Sequence, residues 1–186
     1  MPDFEEMCEA MKKGAGALRD AGIPFVLGGG LAAWARGGPP SNHDVDFLVK
    51  PEDADRAVHA LEDAGMRIQR PPEGWLLKAF DGDVMVDVIF EPATGAVDDA
   101  LIERAEEREV MSARMRVLAL EDIMASKLLA LNETHLDFAG SLEVARAVRE
   151  QVNWEEVRER TRESPYAKAF FALVEELGIV QSACVG

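Results

Sequence analysis

The chain has little cysteine, few aromatic residues and no long apolar run. Only two of its 186 residues are cysteines, Cys8 and Cys184, and they lie near opposite ends of the sequence. This spacing predicts neither a disulfide framework nor a clustered zinc site. No apolar stretch approaches the roughly 20 residues that a membrane-spanning helix needs, and the acidic N-terminus is unlike a signal sequence. We therefore expect a cytoplasmic protein with two free thiols and no membrane partner.

Positive charge is also scarce. Lys and Arg number 20 against 35 Asp and Glu, which gives a formal net charge of −15. The sequence has no basic stripe, and nucleic-acid binding draws much of its affinity from Lys and Arg side chains that neutralise phosphates. The composition therefore disfavours an extended DNA or RNA partner. An acidic surface would instead attract a cationic small molecule, although a need for solubility would explain the same charge.

Length and hydrophobic content indicate a folded protein. A chain of 186 residues, 48% of them hydrophobic, suffices for one domain or for one domain with a small appended subdomain. Helical and strand patterns mix in the first half, whereas from Ala96 the pattern is largely helical, with one short strand at 116–118. We predict an α+β fold in which residues 1–95 form a mixed β-sheet flanked by helices and residues 96–186 form a helical subdomain packed on it.

Capping residues place several element boundaries. Asp3 and Glu6 predict a capping box at the start of the first helix, and Ser164-Pro165 predicts the start of the last one. The predicted strands are 23–27, 44–49, 66–69, 75–80 and 84–90. The predicted helices are 3–21, 29–36, the segment between Pro51 and Gly65, 120–132, 138–151, 153–162 and 165–177.

The stretch from Leu27 to Val49 carries the strongest functional signal. The glycine triplet Gly28-Gly29-Gly30 follows an apolar run and opens a helix, where backbone amides can come close to a phosphate. Asp44-Val45-Asp46 then begins a strand, and residues i and i+2 of a strand point to the same face. Two carboxylates in one pocket repel each other unless a cation lies between them. Oxygen ligands of this kind suit Mg²⁺ that is held together with substrate phosphates.

A third carboxylate, Asp87, interrupts the apolar stretch 84–90. Considered alone, it could be an edge-strand residue that faces solvent. An unpaired buried carboxylate is costly, however, and must be neutralised by a partner, a proton or a metal. Because a strand with two aspartates and a glycine turn precede it, a metal site built from three carboxylates explains Asp87 better.

These features together resemble the nucleotidyltransferase superfamily that includes DNA polymerase β. Its ordered pattern is matched here by Gly29-Gly30-Leu31-Ala32 at a helix start, Asp44-Val45-Asp46 on a strand and Asp87 on a later strand. The segment GGGLAAWARG…HDVDF is especially similar to small antibiotic nucleotidyltransferases that act on aminoglycosides or lincosamides. It is also similar to nucleotidyltransferase modules of toxin–antitoxin and phage-defence systems. The resemblance covers residues 22–90 well and residues 119–150 more loosely.

The resemblance implies a reaction and its participants. An acceptor hydroxyl would attack the α-phosphorus of an NTP, and pyrophosphate would leave. Asp44 and Asp46 would bind the Mg²⁺ of the triphosphate, and a second ion, where one is used, would be shared with Asp87. Asp87 is also the candidate general base. The expected partners are an NTP and a small, cationic acceptor that carries a hydroxyl group.

Further residues are candidates for contacts with the nucleotide. By the same resemblance, the backbone of Gly28-Gly29-Gly30 would surround the β- and γ-phosphates. Many superfamily members carry Arg-x-Ser/Thr before Asp-x-Asp, whereas this chain has Pro40-Ser41-Asn42-His43, so Ser41 or Arg36 would have to compensate. Lys127 is a candidate phosphate ligand, or else an exposed lysine whose stem packs on the core.

Other polar and aromatic residues have simpler interpretations. We expect His43 to have a packing or turn role, and His135 to be a surface or cap residue. Asp137 occupies a position that is acidic in some superfamily members, although the surrounding motif is not matched. The tryptophans Trp34, Trp75 and Trp154 could stack on a base, but core packing is the simpler interpretation of each.

Two alternatives to the small-acceptor enzyme stay open. One is a toxin-like nucleotidyltransferase that modifies RNA or protein. The other is a non-catalytic module of the same fold that binds a nucleotide or a partner chain. The missing arginine before Ser41 favours the binding module slightly. The presence of all three aspartates argues against it, because buried carboxylates without a counter-charge would destabilise the fold.

Overall fold

The structure is a computed structural model that describes residues 3–41 and 44–181. The strands are β1 (Phe25–Leu27), β2 (Val45–Val49), β3 (Arg67–Gln69), β4 (Leu76–Asp81), β5 (Val84–Ile89), β6 (Glu106–Val110) and β7 (Ala113–Val117). The helices are α1 (Phe4–Asp20), α2 (Gly29–Ala35), α3 (Ala54–Asp63), α4 (Asp99–Arg104), α5 (Leu120–Leu129), α6 (Phe138–Val148), α7 (Trp154–Arg160) and α8 (Pro165–Glu176). A short 3₁₀ helix, Pro51–Asp53, precedes α3.

All the strands belong to one mixed sheet in the order β3-β4-β5-β2-β1-β7-β6. The pairs β2–β5 and β1–β7 are parallel, and the other neighbouring pairs are antiparallel. The central strands are mostly buried because helices cover the sheet, as expected for strands with continuous apolar stretches. The α+β fold class predicted from the sequence is confirmed.

The helix boundaries follow the capping residues. The Asp3 carboxylate accepts a hydrogen bond from the Glu6 amide, and the Glu6 carboxylate accepts one from the Asp3 amide, each at 2.9 Å. This reciprocal pair is the capping box that the sequence predicts. Helix α8 begins where Ser164 accepts from the Ala167 amide at 3.2 Å. Gly178, with φ of +65°, follows its C-terminal end.

The sheet continues beyond residue 95, where the sequence predicted one short strand at 116–118 but no hairpin. Strands β6 and β7 form a hairpin at one edge of the sheet, and β7 pairs with β1. Edge strands need little burial, and the charged sequence of β6 lacks the alternation of a half-buried strand. The hairpin turn also lacks a glycine signal, since Met111 and Ser112 adopt the positive φ angles themselves. From Leu120 to residue 181, the named elements are therefore all helices.

The helical part shares its core with the sheet. One cluster of buried apolar residues extends from Met7 in α1 to Val180 after α8. Helix α5 packs against α2, α6, α7 and α8. Cys8 lies in this interior as a free thiol, whereas Cys184 is outside the described residues. None of the helices in the described part of the chain has both the length and the apolar character to cross a membrane.

Candidate active site

Three aspartates meet where two parallel strands lie side by side. Asp46 on β2 and Asp87 on β5 are direct partners in the register of the sheet, and Asp44 immediately precedes β2. One carboxylate oxygen from each residue lies within 4.8 Å of the oxygens of the other two. A group of three carboxylate oxygens at this spacing could hold a hard divalent cation.

The electrostatics of the cluster fit a cation. The pKa of Asp46 is raised well above its ordinary value, chiefly by burial, and next by the charges of Asp44 and Asp87. The positive charges of Lys127 and Lys78 act in the opposite direction. Ionising all three carboxylates without a cation nearby is therefore unfavourable. Oxygen donors of this kind suit a hard cation such as Mg²⁺.

Asp87 already has a positive neighbour, Lys78 on β4. The Lys78 ammonium donates to both carboxylate oxygens of Asp87, at 2.9 and 3.1 Å. Burial raises the pKa of Asp87, and Lys78 partly offsets this increase. The sequence did not identify Lys78, because the contact depends on the register that places Lys78 opposite Asp87. Among the residues that the structure describes, no Lys or Arg forms an ion pair with Asp44 or Asp46.

The glycine turn lies directly against the acidic cluster. The Gly28 amide donates to the Asp46 carbonyl at 2.9 Å, and Gly29 has a φ of +57°. A Cβ atom at Gly29 would lie 1.6 Å from an Asp46 carboxylate oxygen, and one at Gly30 would lie 2.2 Å from the Ser41 hydroxyl. Glycine is therefore required here for close approach. The first amides of α2, which have no acceptor within the helix, start beside Asp46.

A cavity of about 720 Å³ opens next to these groups. Helix α5 contributes Lys127 to the lining of this cavity, together with Gly29 and Asp46. The structure thus brings together the glycine turn, the aspartates and Lys127, all of which the sequence proposed as site residues. The remaining lining residues are Leu48, Trp75, Ile89, Glu91, Pro92, Ala93, Gly95, Leu118, Ile123, Ser126 and Ala130.

Comparison with known proteins identifies the family. Residues 6–175 match the family described as uncharacterised nucleotidyltransferase, so the match includes the glycine turn and all three aspartates. The chain belongs to this nucleotidyltransferase family. The resemblance stated from the sequence is confirmed. No curated protein matches the chain.

Solved structures show the same fold. A structure of the antibiotic-resistance factor ANT(2″)-Ia has 18% identity and a TM-score of 0.69, and the alignment covers 95% of this chain and 98% of that one. ANT(2″)-Ia in complex with adenylyl-2″-tobramycin gives 19% identity, a TM-score of 0.58 and coverages of 89% and 97%. An antigenic nucleotidyltransferase-like protein from Paracoccidioides brasiliensis has 13% identity and a TM-score of 0.55, and the alignment covers 90% of this chain and 93% of that one.

Arg36 of the nucleotidyltransferase does not reach the aspartates. Its buried guanidinium donates to the carbonyls of Leu118 at 2.6 Å and Val117 at 3.0 Å, and pairs with Glu106. These contacts tie the end of α2 to the end of β7. The suggestion that Arg36 compensates for the missing arginine of the superfamily pattern is therefore not supported, because its hydrogen bonds are used within the fold. Ser41, which touches Gly30, stays the candidate.

Two candidate positions in the helical part have structural roles. Asp137 is the N-cap of α6 and accepts from the amides of Ala139 and Gly140. His135 is exposed and lies in the loop before α6, in accordance with the surface position expected of it. Asn42 and His43 fall outside the described residues.

The tryptophans divide into two groups. Trp34 packs edge-on against Phe4, with ring centroids 4.8 Å apart, and Trp154 packs against Phe171 at 6.3 Å. Core packing is thus confirmed for these two. The core-packing interpretation is wrong for Trp75, which is 39% exposed and lines the cavity. The segment before β4 is a turn, which places Trp75 at the cavity rather than in the core.

Proposed function

We propose that this nucleotidyltransferase depends on Mg²⁺ and transfers a nucleoside monophosphate from an NTP to a hydroxyl group of a small acceptor, with release of pyrophosphate. The observation that carries the proposal is the meeting of Asp44, Asp46 and Asp87 beside a cavity that is lined by Asp46, Gly29 and Lys127. ANT(2″)-Ia, a structural neighbour, was solved with an adenylylated aminoglycoside, which supports a small acceptor.

The aspartates would hold the metal. Mg²⁺ bound by Asp44, Asp46 and Asp87 would neutralise the triphosphate and relieve the repulsion among the carboxylates. Asp46 would be the central ligand, since it lies between Asp87 on the neighbouring strand and the glycine turn. Substitution of Asp46 should therefore affect both metal and phosphate binding.

The nucleotide would bind between the glycine turn and α5. The amides of Gly29 and Gly30 would donate to phosphate oxygens, since the first amides of a helix have no acceptor within it. The Ser41 hydroxyl, which contacts Gly30, would add a further hydrogen bond. Lys127, which lines the same cavity, would pair with a phosphate oxygen.

Asp87 would act on the acceptor. As the acceptor oxygen bonds to the α-phosphorus, its proton would pass to the Asp87 carboxylate, and the bond to pyrophosphate would break. Lys78 would orient this carboxylate through its contacts with both oxygens. A small cationic acceptor agrees with the net charge of −15, and the same charge disfavours an RNA acceptor.

The non-catalytic alternative rests on one observation. Lys78 supplies an internal cation to Asp87, as expected of a site that works without metal. Asp44 and Asp46 have no comparable partner among the described residues, which favours a metal-binding enzyme over a binding module.

The first test is thermal unfolding with each NTP, with and without Mg²⁺. A ligand that binds only the folded state raises the midpoint, by about 2.7 kcal/mol of stabilisation at a hundredfold excess over Kd. We expect an NTP-dependent shift that needs Mg²⁺, disappears in Asp46→Asn and persists in Asp63→Asn, an exposed control on α3. Absence of a shift with every NTP in wild type would contradict the proposal and favour the binding module.

A further inference from the structure

The cavity has a second end that the transfer groups do not occupy. Leu48 follows Asp46 by two residues on β2, and Ile89 follows Asp87 by two residues on β5. Both therefore point to the same face of the sheet as the aspartates. Leu48 and Ile89 are direct partners in the register and both line the cavity. On this face of the sheet, each strand thus changes from an aspartate to an apolar residue two positions later.

Trp75 borders this apolar end. It lies just before β4, and its carbonyl accepts hydrogen bonds from the amides of Phe90 at 3.1 Å and Glu91 at 3.2 Å. The backbone of Trp75 is therefore fixed to the end of β5. The residue as a whole is nevertheless 39% exposed, and it lines the cavity. A large aromatic side chain held at a cavity wall but incompletely buried offers a surface on which a ring can stack.

The polar groups at this end are few. Among the described residues that line the cavity, Glu91 is the only acidic one besides Asp46. The apolar residues Pro92, Ala93 and Ile123 also line the cavity. A ligand with several ammonium groups would bury charges without partners here, which is costly. One carboxylate beside an aromatic ring instead suits a flat ring with a single cationic or N–H-donating group.

We propose that Leu48, Trp75, Ile89 and Glu91 form a ring subsite that binds a flat ring of one reactant. The ring stacks on Trp75 and donates a hydrogen bond or a positive charge to Glu91. This inference rests on the proposed function, since it specifies a reactant of the same cavity. Two sources share this chemistry, the base of the NTP and the acceptor itself, and the two are distinguished by experiment.

The experiment measures binding by calorimetry in wild type, Trp75→Ala, Trp75→Phe and Glu91→Gln. The probes are α,β-methylene analogues of ATP, GTP, CTP and UTP with Mg²⁺, which cannot be turned over. Tripolyphosphate with Mg²⁺ serves as the probe without a ring. Tyramine serves as a ring with one ammonium and one hydroxyl group. Glu73→Gln, an exposed position in the turn before Trp75, is the matched control.

Two results support the ring subsite and identify its source. If the base stacks there, Trp75→Ala weakens a nucleotide analogue about fivefold or more, while Trp75→Phe and the tripolyphosphate affinity stay close to wild type. If the acceptor stacks there, Trp75→Ala and Glu91→Gln weaken tyramine by a similar factor and leave nucleotide binding unchanged.

The opposite result is equally clear. If Trp75→Ala and Glu91→Gln bind every probe as well as Glu73→Gln does, the ring subsite is overturned. The ring subsite is also overturned if wild type and Trp75→Ala bind tyramine with equal affinity and bind each nucleotide analogue with equal affinity. Failure of the proposed function is distinguishable, because wild type would then bind neither Mg²⁺–tripolyphosphate nor Mg²⁺–nucleotide, whatever the result with tyramine.

Discussion

Gly29 combines two constraints that can be separated by substitution. Its φ of +57° disfavours any side chain, and a Cβ atom would lie 1.6 Å from an Asp46 carboxylate oxygen. Gly22 has a similar φ of +64°, but nothing lies within 4 Å of a Cβ atom built there. Gly29→Ala should therefore strain the backbone and displace Asp46, whereas Gly22→Ala should only strain the backbone.

We expect both variants to lose about 1–3 kcal/mol of unfolding free energy. Only Gly29→Ala should also lose the thermal shift caused by Mg²⁺ and NTP, because the added methyl group displaces Asp46. Thermal unfolding with and without ligand measures both effects. An undiminished ligand shift in Gly29→Ala would show that the Asp46 carboxylate does not contribute to the site.

Asp46 should make the metal-free protein less stable at neutral pH than at low pH. Burial, and then the charges of Asp44 and Asp87, raise its pKa in the folded state above the unfolded value of about 4. The folded state therefore retains a proton in the interval between the two pKa values. This contribution to stability is complete below the unfolded pKa and is lost as the pH rises through the folded pKa.

Asp46→Asn cannot ionise and should keep that stability. In EDTA at pH 7–8 we expect it to unfold at a higher temperature than wild type, by about 2–4 °C for each kcal/mol gained. Part of the pH dependence should remain, since burial raises the pKa of Asp87 as well. Asp63→Asn is the control. Equal midpoints for wild type and Asp46→Asn across this pH range would show that the carboxylate cluster is not strained.

The residues of the site were predictable to different extents. Asp44, Asp46, Asp87 and the glycine turn were found because each occupies a position in an ordered motif. Lys78 was missed, and Trp75 was assigned to the core, because their positions depend on contacts between strands that no local pattern encodes. The register opposite Asp87 and the edge of the cavity exist only after the sheet has formed.

Arg36 joins two elements that are distant in the sequence. Its guanidinium donates to the carbonyls of Val117 and Leu118 at the end of β7 and pairs with Glu106 on β6. Arg36→Met keeps much of the apolar stem but removes these donors. We expect a loss of about 2–4 kcal/mol of unfolding free energy, because hydrogen bonds from a charged donor contribute about 1.5–3 kcal/mol each and buried carbonyls are left unpaired.

The ligand response separates this structural role from a role in phosphate binding. Arg36→Met should unfold earlier than wild type but keep the further shift caused by Mg²⁺ and NTP, measured against its own ligand-free midpoint. Arg70→Met, which removes an exposed arginine paired with Asp55, should unfold at the same temperature as wild type and also keep the ligand shift. An unchanged ligand-free midpoint with a lost ligand shift would instead place Arg36 at the triphosphate.

Element boundaries were predicted best where a side chain or a glycine specifies them. The capping box of α1, the Ser164 cap of α8 and the glycines after both helices lie where the sequence predicted. The β6–β7 hairpin was not predicted, because an edge strand rich in Glu and Arg has the composition of a solvated helix. Its position in the sheet is decided by tertiary pairing with β1.

The whole molecule should unfold as one unit, even though its sequence changes character along its length. The buried cluster is continuous from α1 to the end of α8. On the helical side, the buried Asp122 carboxylate of α5 accepts hydrogen bonds from Arg104 of α4 and Arg160 of α7. Separating the helices from the sheet would therefore expose apolar surface and leave a charge without its partners, which makes a half-unfolded state unfavourable.

The natural tryptophans allow a test, because Trp34 packs beside α1 and Trp154 packs on α8. One variant keeps only Trp34 and the other only Trp154, with phenylalanine at the remaining two positions. In each, we expect the fluorescence midpoint in urea to coincide with the circular dichroism midpoint, and Mg²⁺–NTP to raise both equally. The site takes Asp46 from the sheet and Lys127 from α5, so binding should stabilise both parts together. A Trp154 signal that unfolds earlier and ignores the ligand would instead show a separate helical subdomain whose Lys127 does not take part in nucleotide binding.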